Sequence, residues 1–509
     1  MSLPVITLGP GGRPLHRGLI TASVMAASIM QAIDTTIATI ALPHMQGSVS
    51  GTQDQMVWVL TSYIVSAAIM TPLSGWLAVR IGRKQVFFWS VVSFTVASAL
   101  CGIADSLFQI VLFRTFQGLA GAALLPLSQA ILLDINPPER HARAMSIWVM
   151  GVTVGPILGP ALGGWLTDNF SWRWVFYINV PIGALSLFGI SSFLSETKLK
   201  RGPFDFFGFL MLALGIASIQ LMLDRGQLKD WFSSTEIWVY AIVGPLAIYL
   251  FAVHSATARE PFINLKMFRD RNFSTGSIFI VLVGILLFAT LALLPPLLQN
   301  LLDYPVVTSG LLTAPRGIGT LLAMLIVGRL LRLLDARWVI AMGFAVTAIS
   351  LWQMCNFYLQ MDDSMVAWSS LIQGVGMGLA YVPLATVTFA TLSPAFRNEG
   401  TAVFNLLRNV GSSVGIAAVQ AIFIRNTQIM HSRLAEHVSP YASQLHEQMD
   451  LSSSAALSAM NARVTEQATM IAYNNDFKLM LILSIVAIPL VCVFRKSGKP
   501  QGSVTVAAE

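Results

Sequence analysis

Apolar runs of about 20 residues recur along the whole chain, separated mostly by short polar segments. A run of that length carries a helix across about 30 Å of hydrocarbon. Backbone in lipid must hydrogen-bond within its own segment, so each run is expected to be helical. The pattern predicts fourteen spans, near 18–43, 56–79, 85–104, 107–133, 144–166, 174–194, 206–223, 236–256, 273–298, 308–331, 338–359, 365–391, 400–424 and 477–494. The first apolar run is too long for a cleavable signal and reads as a span. One polar stretch differs from the rest. Residues 425–476, between the last two spans, contain "HSRLAEHVSPYASQLHEQM" and "SSAALSAMNARVTEQATMIAY", which are expected to form amphipathic helices. A connection that long is often functional; the alternative is a solvated hairpin with no partner.

The composition agrees with a polytopic membrane protein. Of 509 residues, 55% are hydrophobic and 11% charged, against about 25% charged in soluble domains. The mean hydropathy is +0.70. A net charge of +7 would suit nucleic acid, but the basic residues fall in loops between spans, as membrane topology requires. With the N-terminus inside, 21 Lys and Arg fall on inner segments, seven on outer segments, and Arg114, Arg316 and Arg408 within spans. That asymmetry puts both termini in the cytoplasm. Cys101, Cys355 and Cys492 lie in apolar stretches and offer no disulfide framework or metal spacing. His431, His437 and His446 are irregularly spaced, so no metal site is expected.

The chain also repeats. At an offset of 256 residues, Gln117-Gly118 falls on Gln373-Gly374, Pro138 on Pro394, Gly155 on Gly411 and Gly159 on Gly415. A weaker echo relates "GWLAVRIGRK" (75–84) to "GRLLRLLDAR" (328–337). Matching spans of one orientation indicate a parallel repeat, with binding sites near the midplane between the halves. The expected organisation is a cytoplasmic N-terminus (1–17), a six-helix bundle (18–195), two inserted spans with their flanks (196–271), a second six-helix bundle that includes 425–476 (272–494), and a cytoplasmic tail (495–509).

Depth along the spans singles out one acid. Asp34 lies ten residues before His44, at the outer end of span 1, hence roughly 15 Å deep. Arg114 lies nine residues beyond Asp105, at the outer start of span 4, hence roughly 13 Å deep. At one level, pairing offsets much of the desolvation of both charges. The carboxylate is either a protonation site switched by access or a structural ion pair. The first is favoured because Asp34 is the only acid read deep in a span; Asp134, Asp205 and Asp224 fall at span ends.

"GWLAVRIGRK" joins spans 2 and 3. Gly75 permits close helix approach and Gly82 a tight turn, while Arg80, Arg83 and Lys84 can latch the inner face through helix C-termini and acids of neighbouring spans. The alternative is an ordinary positive-inside loop. In span 5, "GVTVGPILGPALGG", the residues Gly151, Gly155, Gly159 and Gly163 recur every four positions and form one smooth face, with Pro156 and Pro160 as kink formers. That face either slides against a partner or packs statically. Arg316 and Arg408 either line a polar path or are neutralised by helix C-terminal carbonyls. Gln31, Trp58, Tyr63, Gln117, Gln373 and Tyr381 are the other candidates for a central cavity. There is no GxxxxGK[ST] or HExxH, so neither ATP hydrolysis nor another enzymatic activity is expected. Energy would come from an ion gradient or a partner.

The motifs "IDTTIATIALP" (33–43), "GWLAVRIGRK", "RTFQGLAGA" (114–122) and "GVTVGPILGPALGG" resemble those of the major facilitator superfamily, in its fourteen-span drug:proton antiporter branch, the EmrB/QacA group. "WRWVFYINVPIG" (172–183), "LMLDRGQLKDWF" (221–232) and the segment 425–476 resemble its Gram-negative EmrB subgroup. The resemblance covers essentially the whole chain. It implies an all-α fold of two six-helix bundles plus two inserted helices in the bacterial inner membrane. It implies export of lipophilic compounds in exchange for protons by alternating access, with no cofactor. Asp34 would be the proton-linked carboxylate and Arg114 its partner. It further implies a tripartite assembly, in which 425–476 contacts a periplasmic adaptor that leads to an outer-membrane channel. One departure is Val79, where the superfamily loop usually has Asp. A dedicated exporter of one metabolite, siderophore or fatty acid is the second reading, and a non-transporting receptor or scaffold the third.

Overall fold

The computed structural model describes residues 16–49, 53–137, 140–196, 204–393, 396–436 and 454–495. They form fourteen long helical segments, twelve of them long and apolar enough by length and composition to cross a membrane. Each of the fourteen spans expected from the apolar pattern falls on one of these segments, which is consistent with that number; α6 and α14 are not among the twelve. The first six are α1 (Arg17–Ser48), α2 (Gln53–Arg80), α3 (Arg83–Ile103), α4 with α5 (Leu107–Gly121 and Leu124–Ile135), α6 (His141–Asn169), and α7 with α8 (Trp174–Tyr177 and Asn179–Phe193). The inserted pair is α9 (Phe206–Gly226) and α10 (Thr235–Thr257). The last six are α11 (Arg271–Pro296), α12 with α13 (Val306–Thr313 and Pro315–Leu333), α14 (Ala336–Met354), α15 (Asp363–Ala390), α16 (Arg397–Glu436) and α17 (Ser454–Leu490). Spans 4, 6 and 10 are each broken in two, which the apolar pattern does not reveal.

The repeat is visible in the packing. In the first half α1 packs on α6, α2 on α4, α3 on α4 and α3 on α8. In the second, α11 packs on α16, α13 on α15, α14 on α15 and α14 on α17. The shared glycines explain part of this. A Cβ at Gly159 would lie 2.9 Å from Thr36 Cβ, and one at Gly415 would lie 2.8 Å from Ile285 Cα. Only glycine lets the two helices of each pair approach so closely. Between the halves, α6 packs on α12 and α13, and α16 on α2 and α5.

The inserted helices pack on each other, and α9 also on α2 and α16. Much of their remaining surface is large and apolar, with Trp238, Ile242, Leu246 and Tyr249 exposed on α10, as a lipid-facing surface requires. Asp205 caps α9 through Gly208 N at 2.8 Å. It also accepts from Phe262 N at 2.9 Å and pairs with His254 Nε2 at 2.8 Å. Burial alone would raise its pKa, but these donors hold it below the usual carboxylate range.

Two expectations need correction. The stretch 425–476 carries helix as expected, but not as separate segments between the spans, because α16 runs without a break to Glu436 and α17 begins at Ser454. The two helices pack against each other, so helix continues where hydropathy falls. Nor is Asp34 the only deeply buried acid. Asp476 lies within α17 with no exposed surface, and among the described residues neither carboxylate oxygen has a hydrogen-bond partner. His437, His446, Pro138 and Pro394 lie outside the described residues, as do the side chains of Pro156 and Pro160.

Candidate functional site: a buried polar cluster and a charged latch

Asp34 and Arg114 are the centre of the polar cluster. Arg114 Nη1 donates to Asp34 Oδ2 at 2.8 Å, and both side chains are almost completely buried. Gln117 Nε2 donates to Asp34 Oδ1 at 2.9 Å and Asn179 Nδ2 to the same oxygen at 2.8 Å. Gln117 Oε1 in turn accepts from Arg114 Nη1 at 2.7 Å. The guanidinium lies between two rings, 5.1 Å from Tyr63 and 4.9 Å from Phe176. Gln31 is buried beside Tyr63. One helical turn explains two of these donors, since Arg114 and Gln117 are three residues apart on α4 and share a face. Asn179 begins α8, just past the break after α7. It lies inside a motif the sequence supplies, yet nothing in spacing aims it at Asp34.

The second half carries the same frame without the charges. At the same offset of 256 residues, Thr290 stands where Asp34 is, Ser370 where Arg114 is, and Gln373 where Gln117 is. Gln373 Nε2 donates to Thr290 Oγ1 at 2.9 Å. The glutamine bond is retained, and the ion pair is confined to one half.

The glycine face of α6 turns toward the Asp34 helix. A Cβ at Gly155 would lie 2.6 Å from Ala32 Cβ and closer still to the Ala32 carbonyl. Thr36 Oγ1 donates across the contact to Gly155 O at 3.0 Å. Gly151 abuts Met25 Cε. Gly163 is buried, and its carbonyl accepts from Thr167 Oγ1 at 2.6 Å. The partner of this face is thus α1, within the same bundle.

At the end expected to face the cytoplasm, charges bridge the halves. Asp134 at the end of α5 pairs with Arg83 and accepts from Arg397 Nη1 of α16 at 2.9 Å. Asn405 Nδ2 donates to Gln129 Oε1 at 2.9 Å, and Trp148 of α6 stacks on Tyr381 of α15 at 6.4 Å. Gly82 takes a positive φ of 106°, the left-handed region suited to glycine. There Glu196 accepts from the N–H groups of Lys84 and Gln85, each at 3.2 Å, and Lys84 Nζ donates to Ser191 O at 2.9 Å. Arg80 stacks on Trp76 at 4.7 Å, and Gly75 is buried in α2. The acid that Val79 does not supply comes from Asp134 and Glu196, which sequence reasoning did not assign to this latch.

Several cavity candidates lie elsewhere. Trp58 stacks against Arg225 of α9 at 4.8 Å, at the margin of the inserted pair. Arg408 lies within electrostatic reach of Tyr381 and bonds Asn409 Oδ1 at 3.4 Å. Arg316 is only 7% exposed, and among the described residues none of its three guanidinium nitrogens has a hydrogen-bond partner. Among the described residues no carbonyl bonds it, so none of their helix C-termini neutralises it.

Two helical bundles in parallel repeat, a buried ion pair in one of them and a charged latch across their ends define a polytopic membrane transporter and not an enzyme. The Major Facilitator Superfamily model matches residues 24–416, and the chain belongs to that superfamily. It is 36% identical over 480 residues to the fatty acid resistance protein FarB of Neisseria gonorrhoeae, covering 93% of this chain and 95% of that one. It is 35% identical over 482 residues to the multidrug export protein EmrB of Escherichia coli strain K12, covering 93% and 94%. Among solved structures, the human organic anion transporter MFSD10 superposes with a TM-score of 0.59 at 13% identity, over 93% of this chain and all of that one. A bacterial homologue of the lysosomal transporter Spinster gives 0.54 at 17% identity. These two share the fold. With a multidrug export protein among the relatives matched along nearly their full length, the chain is an efflux transporter.

Proposed function

We propose that the protein exports lipophilic toxic compounds across the bacterial inner membrane in exchange for protons, by alternating access, with both termini in the cytoplasm. The observation that carries this reading is Asp34, a fully buried acid held by Arg114, Gln117 and Asn179. Its helix lies against the glycine face of α6. A proton arriving from outside neutralises Asp34, weakens its hold on Arg114 and frees α1 to move along that face. Release of the proton inside restores the pair. The latch of Arg83, Asp134 and Arg397 closes the cytoplasmic end while the outer side is open. Arg80, Lys84 and the Gly82 turn hold its loop in place. Gln31, Tyr63, Gln373, Tyr381 and Arg408 belong to the path between the halves. Multidrug export by EmrB supports the breadth of cargo. The helices that extend through 425–436 and 454–476 form the contact for a periplasmic adaptor, which passes cargo to an outer-membrane channel.

The test is flux from proteoliposomes driven by an imposed pH step. Asp34→Asn keeps the side-chain size and removes the titratable charge, though one acceptor oxygen becomes a donor; the variant is expected to fold, which its melting curve checks, and its gradient-driven efflux to be abolished. If Asp34→Asn still exports under a pH gradient, the assignment is wrong. A dedicated exporter of one acidic lipophile is a second reading, and the unneutralised Arg316 is the observation that favours it.

A further inference from the structure

Resting on the reading of the chain as an exporter, we propose that Arg316 is the head-group site for an anionic cargo, a long-chain carboxylate or a comparable lipophilic monoanion. Arg316 is the second residue of α13, which starts at Pro315 after the break at Ala314. Counting ten residues from Val306 puts it roughly 15 Å below the outer surface, the same level as Asp34 and Arg114. Lipid head groups lie at the surface, so a phospholipid phosphate does not reach this depth.

The site is built, not incidental. The Arg316 backbone is packed against α15 so tightly that a Cβ at Gly374 would lie 2.7 Å from Arg316 C. Thr320 Oγ1 bonds both Arg316 O at 2.9 Å and Gly374 O at 3.2 Å. The guanidinium is therefore on a fixed stretch of helix, buried, with none of its nitrogens partnered among the described residues. A central Arg is costly to place in a membrane, and guanidinium cannot escape the cost by losing its proton. A planar fork of donors in an apolar site is matched by a carboxylate, which it binds in bidentate fashion. Arg114 does not compete for such a ligand, because Asp34 already occupies it.

The location joins this site to the proton. The helix of Arg316 packs on α6, and α6 packs through its glycine face on α1, the helix that carries Asp34. The first half thus holds a cation already neutralised by its own acid, and the second holds a cation left for an acid from outside. An anion bound there lies across one helix from the proposed proton site.

The experiment measures equilibrium binding to the full-length purified protein in nanodiscs at one fixed pH. The probes are a sixteen-carbon fatty acid and its methyl ester, which share a tail and differ in charge. The expected result is at least tenfold tighter binding of the acid to the wild type, and loss of that preference in Arg316→Gln. Arg316→Met is the companion variant. Removing an uncompensated charge from an apolar site raises its melting temperature without ligand, and the acid no longer adds the increment it gives the wild type. An acid preference absent from the wild type, or retained in either variant, overturns the proposal. Because no gradient is applied, failure here leaves proton-coupled export standing. Conversely, acid binding through Arg316 without pH-driven flux refutes the coupling alone.

Discussion

Replacing Gly155 by alanine tests whether α6 and α1 must be in backbone contact for transport. The added Cβ would lie 2.6 Å from Ala32 Cβ, with the Ala32 carbonyl carbon and oxygen nearer still. Ordinary contact begins near 3.4 Å, so the helices must part by about 0.8 Å or more, and backbone cannot rotate out of the way. Overpacking of this kind costs about 1–3 kcal/mol. The Thr36–Gly155 hydrogen bond, 3.0 Å long, is stretched beyond range and costs about 1 kcal/mol more. Alanine's helix preference offsets up to about 1 kcal/mol. The larger effect is on the site. Asp34 lies on the face of α1 opposite Ala32 and Thr36, so the same displacement drives it about 0.8 Å against its 2.8 Å contact with Arg114, and the pair must rearrange to avoid a clash. Gly164→Ala is the matched control, since nothing lies within 4 Å of its Cβ. Both variants, reconstituted with the wild type, are assayed for pH-driven efflux and melted in detergent. Gly155→Ala is expected to lose at least tenfold in rate and to melt lower, while Gly164→Ala matches the wild type. If Gly155→Ala exports at half the wild-type rate or better with an unchanged melting point, close packing of α6 on α1 is not needed for coupling.

The remaining predictions concern the latch and the inserted helices. Asp134→Asn removes the acid shared by Arg83 and Arg397. Partly exposed pairs contribute about 0.5–1 kcal/mol each, so losing both shifts the balance between inward-open and inward-closed states roughly five- to thirtyfold. Thiol labelling of a cysteine introduced at the cytoplasmic end reads the shift, and unchanged labelling counts against the latch. Asp205→Asn tests the cap of α9. Because the folded state holds this carboxyl below its ordinary range, its contribution is present above the unfolded pKa and lost as pH falls through the folded one. The variant melts below the wild type at neutral pH, and the two converge in acid. A constant difference across that range would refute the cap's electrostatic role.

Depth was legible in the sequence because a transmembrane helix advances 1.5 Å per residue along one axis. Counting residues from each span's outer end put Asp34 and Arg114 on one level, and the structure brings them to 2.8 Å. Rotation about the helix axis was not legible, and it decides that Gln117 and Asn179 converge on Asp34. Asp134–Arg397 joins residues 263 positions apart in different halves, and no local pattern carries that pairing. Asp476 was missed for another reason. Hydropathy reports where lipid ends, whereas helix ends are set by hydrogen bonding and packing. Because α16 and α17 support each other beyond the apolar stretch, each spanning helix runs on unbroken into residues that hydropathy places outside the span. The repeat offset was readable from glycines and Gln117/Gln373. What it implies, a neutral Thr290–Gln373 pair opposite the charged one, became meaningful only once the bond itself was seen.

The length of α16 has a mechanical consequence. It is one unbroken helix of 40 residues, about 60 Å long. Arg397 at one end holds Asp134, Asn405 holds Gln129 two turns further on, and Glu436 lies at the far tip. A rigid rod of that length, pivoting at its base, swings its tip by roughly 1 Å for each degree of tilt. The helix therefore acts as a pointer: the making or breaking of one ion pair on one side of the membrane is displayed, magnified, on the other.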